Sequence, residues 1–500
     1  MPVSSLDNIK YNLDNYTASF IFSNRIMSKK PKFNRRTMLS LTAAGLVGSS
    51  TAIAASDDVV LTEYDADSSV NWDTDAWPQV GYDNGRTSYN AAASGPTGEL
   101  SVSWKFGEES FSGQIPIVAD GTVYTIQGAP LYGVQKLYAL SSDDGTERWV
   151  AELKGDYEQN AKDDDAPRYT YDMRSTAVAD GTVYTSRLDR TEVFDAENGD
   201  RLWTVETGGN NIAVTDELLV VDSPLLSDGN HEVGHRVVAL SREDGSVEWT
   251  YNFRGRGPTT LDPTLDIVVA DGSVYALYDA VDPEEKKVLR SISLDSGEEE
   301  WSREATSLEG DMVATASELY VSLGNALLVL DPKTGDEKWT NDSEYAVKAV
   351  GDGTAYCTDG NVVTAFDAAS GAEQWRVETN RRGSARIVHD ELVVAGDVLY
   401  YTITKDDTVN DKPAVRDVET GELLGRYELP ETADRDDGLL DATNYLAPAG
   451  EKLYTVSDDA LVAFCDKSDD ESDGVDSDDG DDSGGGEGGD GSDEDEFDDC

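Results

Sequence analysis

The chain has 500 residues, of which 100 are acidic and 40 are basic, so its formal net charge is −60. Subtracting the N-terminal region (about +5) and the residues after Cys465 (about −17) still leaves roughly −48 on the body of the chain. Nucleic acids and anionic membrane surfaces carry charge of the same sign, so the composition argues against both as partners.

The N-terminal segment has the composition of an export signal. Arg35 and Arg36 precede an apolar run over Leu39–Val47, and Ala52 and Ala54 then offer a cleavage site with small residues. This order of basic, apolar and small regions predicts a secretory signal peptide, and the arginine pair favours the twin-arginine route.

We assign residues 1–55 to this signal peptide, with Met27 as an alternative translation start because it gives a more ordinary basic region. No Cys lies at the cleavage site, which argues against a lipid anchor. The apolar run is too short to span a bilayer and no second one follows, so the sequence predicts no transmembrane anchor. The expected location is extracellular or at the cell surface.

Residues 56–98 form a lead-in before the first repeat. Trp77–Tyr89, with the sequence WPQVGYDNGRTSY, is its most distinctive part, and we expect Trp77 to pack on the repeat domain. An isolated strand-like segment, Leu100–Phe106, follows the lead-in. It contains Trp104, but no hairpin turn precedes it in the sequence.

Val329–Trp339 is the clearest copy of a repeated hairpin, in which a strand, a turn and the start of the next strand follow one another. A glycine in the turn can adopt a positive φ without a Cβ clash. The interval from this glycine to a tryptophan occurs six times: Gly145 and Trp149, Gly199 and Trp203, Gly245 and Trp249, Gly297 and Trp301, Gly335 and Trp339, Gly371 and Trp375. A seventh copy has Gly421 but ends at Gly425, where Trp is expected.

A second periodic element alternates with these hairpins. It consists of an apolar strand, a turn that is often Asp-Gly, and another strand, which is a hairpin signal. Its eight copies are 115–124, 176–184, 212–220, 267–275, 312–320, 346–356, 385–393 and 445–454. Each unit therefore has four strands and recurs roughly every 36 to 54 residues, which is the range of propeller blades.

The two ends of the repeat region complete each other. The last unit stops after Leu461–Phe464 without a final strand that carries Trp, whereas Leu100–Phe106 is an isolated strand with Trp104 where such a tryptophan should be. We therefore predict an all-β protein: an eight-bladed β-propeller of four-stranded antiparallel blades over residues 99–466, closed by the N-terminal strand. Closure would protect the sheet edges at the seam.

The repeat resembles that of the pyrroloquinoline quinone (PQQ) alcohol dehydrogenases and of their non-enzymatic relatives of the BamB type. The family motif is Ala-x-Asp-x-x-x-Gly-x-x-x-Trp, and the lead-in around Trp77 resembles the segment that precedes the first blade in this family. The resemblance implies that each tryptophan, including Trp104, docks between neighbouring blades. WD40 repeats end in Trp-Asp and carry Gly-His, and neither pattern recurs here.

His231–His235 matches the zinc-protease pattern HExxH, which requires both histidines on one face of a helix. We expect the match to lie in a loop over Ser223–Gly234, because Gly229, Asn230 and Gly234 oppose a helix. His389 lies in a strand-like context and has no evident reason to converge with this segment. We therefore predict no catalytic, cofactor or metal site here.

The resemblance leaves two functions open. A PQQ-dependent dehydrogenase would bind the quinone with calcium, and enzymes of that type carry an adjacent Cys-Cys disulfide. The cysteines here, Cys357, Cys465 and Cys500, are far apart, and their odd number argues against a disulfide framework. Cys357 and Cys465 lie in strand-like runs and are expected to be buried.

We therefore favour an exported, non-catalytic binding scaffold, and we expect it to bind no cofactor. It would be a monomeric propeller that binds a protein or a cell-surface polymer through its longest loops, such as residues 155–174. The Asp-, Glu-, Ser- and Gly-rich tail, 467–500, is expected to be disordered, and its partial match to a calcium loop to be chance. The acidic, lysine-poor surface resembles that of proteins from extreme halophiles, which predicts dependence on salt screening.

Overall fold

The structure is a computed structural model, and it describes sixteen stretches of the chain. They all belong to one compact unit, Thr62–Cys500. The predictions for the signal peptide (1–55), the tail (467–500) and the loop 155–174 lie outside the described residues. The stretches are 76–97, 100–107, 115–128, 135–153, 175–187, 190–226, 232–254, 264–279, 287–305, 311–323, 326–360, 362–378, 386–404, 412–426, 446–456 and 460–466.

The described residues form strands and turns without a helix, and the strands are arranged in eight antiparallel sheets. Two strands precede the first complete sheet: β1 (Tyr89–Asn90) and β2 (Leu100–Phe106). Blade 1 contains β3 (Ile117–Ala119), β4 (Thr122–Gln127), β5 (Lys136–Ser141) and β6 (Glu147–Glu152). Blade 2 contains β7 (Ser175–Ala179), β8 (Thr182–Arg187), β9 (Arg190–Asp195) and β10 (Arg201–Val205). Blade 3 contains β11 (Ile212–Val214), β12 (Leu218–Leu226), β13 (Glu232–Ser241) and β14 (Val247–Arg254).

The middle blades repeat this order of four strands. Blade 4 contains β15 (Thr264–Ala270), β16 (Ser273–Asp279), β17 (Lys287–Ser293) and β18 (Glu299–Ala305). Blade 5 contains β19 (Met312–Ala314), β20 (Leu319–Leu323), β21 (Ala326–Leu330) and β22 (Glu337–Asn341). Blade 6 contains β23 (Ala346–Gly351), β24 (Thr354–Thr358), β25 (Val362–Asp367) and β26 (Glu373–Glu378).

The last two blades differ from the others in how they are completed. Blade 7 contains β27 (Arg386–Ala395), β28 (Val398–Thr404), β29 (Lys412–Asp417) and β30 (Leu423–Arg426). Blade 8 contains β31 (Leu446–Ala449), β32 (Lys452–Val456) and β33 (Leu461–Asp466), and its fourth strand is β2. The predicted fold, an all-β propeller with eight antiparallel blades, is confirmed.

The N-terminal strand closes the ring as predicted. β2 pairs antiparallel with β33, with Val102 opposite Phe464 and Phe106 opposite Leu461. The first strand of each blade lies innermost, and the innermost strand of each blade contacts a strand of the preceding blade around the ring, including β3 with β31. The first and last blades are therefore neighbours, and the seam has no open sheet edge.

Local chemistry explains the turns between the first two strands of the blades. Asp120, Asp180, Asp271 and Asp352 all have a positive φ and are each followed by a glycine with a positive φ. This is the geometry of a type I′ turn, which Asp-Gly favours and which matches the twist of the flanking strands. We refer to the side of the ring that carries these turns as the turn face.

Two details differ from the sequence prediction. The sheet of blade 7 has five strands, because β1 from the lead-in adds to it in parallel, with Tyr89 opposite Val394. Its first turn lies at Gly396, not within the predicted copy 385–393. The apolar residues on both sides of His389 belong to one long strand whose register shifts between Ile387 and Leu392.

The core lies between the blades. Tyr124 and Leu137 of blade 1, for example, pack in one cluster with Val183 and Phe194 of blade 2. Cys357 is free and buried, as expected. Cys465 is also buried, but it is disulfide-bonded to a partner outside the described residues. The argument from the odd number of cysteines was therefore wrong for Cys465, because an odd number still leaves one pair.

Candidate functional site: the plugged channel

The predicted tryptophans lie on the turns of the following blades. Each indole Nε1 donates to a backbone oxygen of the next blade over 2.8–3.2 Å: Trp104 to Ser142, Trp149 to Ala196, Trp203 to Arg242, Trp249 to Leu294, Trp301 to Pro332, Trp339 to Ala368 and Trp375 to Val418. Each ring also covers the turn glycine of that blade. A Cβ atom at this glycine would lie only 2.6–2.8 Å from the ring in the pairs Trp104 and Gly145, Trp149 and Gly199, Trp203 and Gly245, Trp249 and Gly297, Trp301 and Gly335, Trp339 and Gly371, and Trp375 and Gly421.

The lead-in enters the central channel, and we call residues 76–97 the plug. Its backbone, or the side chain of Asn84, hydrogen-bonds to the innermost strand of blades 1 to 7 in turn, and to the turn that follows the innermost strand of blade 8. Along the plug, the bonded pairs are Trp77 with Val118, Pro78 with Val178, Asn84 with Val214 and with Val269, Gly85 with Ala314, Thr87 with Val350, Ser88 with Val394, and Gly95 with Gly450. One short segment therefore ties all eight blades together from the inside.

The plug is folded back on itself. Gly81 accepts a hydrogen bond from the Ser88 amide, and Tyr82, Arg86 and Ser88 have positive φ angles although they are not glycines. Such backbone strain persists only where the surroundings enforce it. Gly85 is required by a close approach, because a Cβ atom there would lie 2.0 Å from the Ala314 carbonyl oxygen.

Arg86 extends from the plug into a group of polar residues on the inner strands. Its guanidinium pairs with Asp266 at 2.6 Å and donates to the side-chain oxygen of Asn211. Asp222 in turn accepts hydrogen bonds from the backbone and side-chain nitrogens of Asn211 at 2.7 and 3.1 Å. Lys348 pairs with Asp311 at 2.6 Å. We call Arg86, Asn211, Asp222, Asp266, Asp311 and Lys348 the channel cluster.

Burial makes two carboxyl groups of the channel cluster, Asp222 and Asp266, weaker acids. It raises the pKa of Asp222 to about 7, against the opposing effects of the Asn211 amide, His235 and Arg86. Burial also raises the pKa of Asp266, and Arg86 opposes that shift while Asp311 adds to it. Perturbed carboxylates in a channel are typical of functional sites, although structural ion pairs produce them as well.

The HExxH match does not form the predicted loop. β12 continues to Leu226 and β13 begins at Glu232, so the backbone of Glu232 to His235 is strand, with His235 opposite Pro224. Residues 223–226 of β12 all pair with β13, which leaves only 227–231 between the two strands. His235 is buried beside Tyr278, at 6.3 Å between ring centroids. A strand cannot place a histidine pair as a protease helix does.

Within the described stretches, no three His, Cys, Asp or Glu side chains form a group that could hold a metal ion. The same stretches contain no helix of the length and apolarity required to cross a membrane. The channel cluster and the plug were not identified as sites from the sequence. Asp222 and Asp266 each interrupt an apolar strand run, and this was the available signal.

Comparison with known proteins places this architecture in a family. The profile of the family described as "Outer membrane protein assembly factor BamB" matches residues 57–341 and 284–476. The quinohemoprotein alcohol dehydrogenase ADH-IIG of Pseudomonas putida is 31% identical over 165 residues, which are 31% of this chain and 21% of that protein. The chain thus aligns with about a fifth of the length of this relative.

Solved structures show the same fold at low identity. The structure of ADHIIG from Pseudomonas putida HK5 has a TM-score of 0.55 at 14% identity and covers 79% of this chain and 80% of its own. A europium-containing methanol dehydrogenase has a TM-score of 0.55 at 13% identity, covering 79% of this chain and 98% of its own. Since the family profile spans most of the sequence, this chain belongs to the outer membrane protein assembly factor BamB family of PQQ-type β-propellers.

Proposed function

We propose that this protein is an exported, non-catalytic binding scaffold. The observation that carries the proposal is that the plug occupies the channel and that the channel cluster is satisfied internally. Arg86, the plug residue that reaches the cluster, is held by Asp266 and Asn211, and Lys348 is held by Asp311. Polar groups paired in this way stabilise the plug and leave few donors for a ligand.

The channel cluster does not fit PQQ well. The quinone carries three carboxylates, so its site needs a surplus of positive charge and hydrogen-bond donors. Here Asp222, Asp266 and Asp311 outnumber the two cations, Arg86 and Lys348, and both cations are already paired. Bringing further carboxylates beside these carboxyl groups would cost free energy through repulsion of like charges. This supports a propeller without the quinone.

A scaffold of this type recognises its partner through loops on a rigid ring. The name of the family, an assembly factor, supports a protein as the partner, and a cell-surface polymer is the other candidate. The twin-arginine pattern at Arg35 and Arg36 supports export to the cell surface or the medium. The acidic surface favours a partner that is not itself strongly acidic.

A PQQ-dependent dehydrogenase is the second candidate. The observation that favours it is the 31% identity with a quinohemoprotein alcohol dehydrogenase over 165 residues. The structural likeness to two dehydrogenases concerns the fold alone and therefore does not separate the candidates.

Reconstitution separates the two candidates. The full-length mature protein, in molar salt, is incubated with PQQ and either calcium or europium, then freed of unbound quinone and assayed for dye-linked oxidation of ethanol. We expect no turnover and no retained quinone. Stoichiometric quinone with turnover would replace the scaffold proposal with the dehydrogenase.

The scaffold itself is tested in the native host. A photo-crosslinking amino acid at Tyr169, in the loop 155–174, should give a discrete adduct with a partner. The control position is Glu197, an exposed residue of a short turn in blade 2. Adducts of equal yield from both positions, or none from Tyr169, would contradict recognition through this loop.

A further inference from the structure

A cavity of about 490 Å³ lies between the plug and the turns of blades 5 and 6. Its wall includes Ala316, Gly353 and Ala369, which belong to turns on the turn face, so it opens on that face. Sites for small molecules have volumes of about 300–1,000 Å³ and mostly apolar walls with a few polar groups. No step of the proposed scaffold function uses this cavity.

Two tyrosines from the plug form its aromatic wall. Tyr82 and Tyr89 are both half-buried, so part of each ring remains accessible. Tyr82 is held in a strained backbone conformation, with φ at 74°, and its ring lies 5.3 Å from that of Trp77. Tyr89 packs so closely on Gly351 that a Cβ atom there would lie 2.1 Å from the ring. The surroundings thus fix both rings in place.

The charged side chains that line the cavity are all acidic. Three carboxylates, Asp83, Glu318 and Asp367, are among the lining residues, and none of the lining residues is a lysine or an arginine. Lys338, which is not a lining residue, pairs with Glu318 at 2.6 Å and balances that one charge. Burial raises the pKa of Asp83 to about 6, so above that pH Asp83 and Asp367 leave a net negative charge of about two at the cavity.

Local hydrogen bonds hold these two carboxylates in place. Asp83 is buried and accepts from the backbone and hydroxyl of Thr87 at 2.9 and 2.7 Å. Asp367 accepts from the backbone and hydroxyl of Ser370 at 2.8 and 2.5 Å, and these bonds lower its pKa. A cation that enters the cavity therefore meets preorganised negative charge without moving side chains.

We propose that this cavity is a binding site for a small organic cation with an apolar body. Its ammonium group would lie near Asp83 and Asp367, while its body packs against Val350 and the rings of Tyr82 and Tyr89. Aromatic faces attract cations as well as apolar groups, so both features select the same class of ligand. A hydrated metal ion would leave the apolar wall unused.

The test uses the full mature protein in molar potassium chloride and three probes of one shape and different charge. Phenethylamine is the cation, phenethyl alcohol the neutral analogue and phenylacetate the anion, and binding is measured by ligand-observed NMR titration. Phenethylamine should bind saturably and at least about tenfold more tightly than the alcohol, which corresponds to about 1.4 kcal/mol. Phenylacetate should not bind.

Two variants locate the site. Asp83→Asn removes a charge from the wall and should weaken phenethylamine about tenfold without changing the alcohol, while Glu197→Gln, a charge removed from a blade 2 turn, should change neither. Ala369→Trp fills the mouth from an exposed position and should abolish binding of both probes, which keeps the test decisive if Asp83→Asn fails to fold. No saturable binding of phenethylamine, equal affinity for all three probes, or unchanged binding by Ala369→Trp would overturn the proposal.

Discussion

The contact between Trp104 and Gly145 joins blade 8 to blade 1 and provides the sharpest test of the ring. Trp104 is 4% exposed, donates to the Ser142 carbonyl oxygen at 3.0 Å and lies over Gly145. That carbonyl also accepts from Lys452 at 3.0 Å, so losing the indole does not leave it without a partner. The cost of Trp104→Ala should therefore come from lost burial and the cavity, about 3–5 kcal/mol.

Gly145→Ala should act on the same contact from the other side. The φ of Gly145 is +71°, and a Cβ atom in this conformation costs about 1–2 kcal/mol. The added atom would also lie 2.6 Å from the Trp104 ring, about 1 Å closer than carbon atoms normally approach. Displacing the ring should bring the total to roughly 2–4 kcal/mol, within the range of severe packing defects. When Trp104 is already alanine there is no ring to displace, so Gly145→Ala should then cost only about 1–2 kcal/mol, from the strained backbone.

A double-mutant cycle measures this coupling from urea unfolding in molar salt. We expect Trp104→Ala and Gly145→Ala together to cost about 1–2 kcal/mol less than the sum of the single changes. The matched control pairs Trp104→Ala with Gly199→Ala, whose glycine contacts Trp149 instead, and should be additive within about 0.5 kcal/mol. A coupling energy no larger than that of the control would refute the docking of Trp104 on Gly145.

Three further predictions concern export, salt and pH. Arg35→Lys with Arg36→Lys should leave precursor inside the cell, and unimpaired secretion would argue against the twin-arginine route. Lowering salt from 1 M to 0.1 M lengthens the screening distance from about 3 to about 10 Å and should lower Tm, and equal Tm values would contradict the halophilic interpretation. Burial raises the pKa of Asp222 to about 7. The folded state therefore keeps a proton on this carboxyl group that the unfolded state loses near pH 4. Between these two pH values, Asp222 makes the free energy of unfolding fall as pH rises. Asp222→Asn should flatten that part of the Tm profile, and an unchanged profile would show that Asp222 does not titrate there.

The sequence predicted the blades because their signals are local and repeated. A glycine such as Gly335 and the tryptophan four residues later lie in one hairpin, and six copies share the same interval. The Asp-Gly turns are equally local. Blade 7 shows the limit of this reasoning, because the apolar run around His389 offered a second place for a turn, and only strand pairing places the turn at Gly396.

The plug could not be predicted in the same way. Its bonds to the blades are mostly made by backbone groups, which leave no pattern of side chains in the sequence. The partners of a single residue, Asn84, are Val214 and Val269, more than a hundred positions away. The channel cluster depends on the plug for Arg86, so it was missed for the same reason, although Asp222 and Asp266 within apolar strands indicated buried polar partners.

The missing tryptophan of blade 7 follows from the way in which the ring closes. Gly425 lies opposite Val415, the position that Trp149 occupies opposite Ala139 in blade 1. A tryptophan docks on the turn between the third and fourth strands of the next blade. In blade 8 these strands are β33 and β2, which come from opposite ends of the chain and are joined by no turn. A tryptophan at position 425 would have no glycine to cover, so the position is free to lose it. The seventh copy without its tryptophan and the isolated strand around Trp104 therefore have one structural explanation, which is that β2 supplies the fourth strand of blade 8.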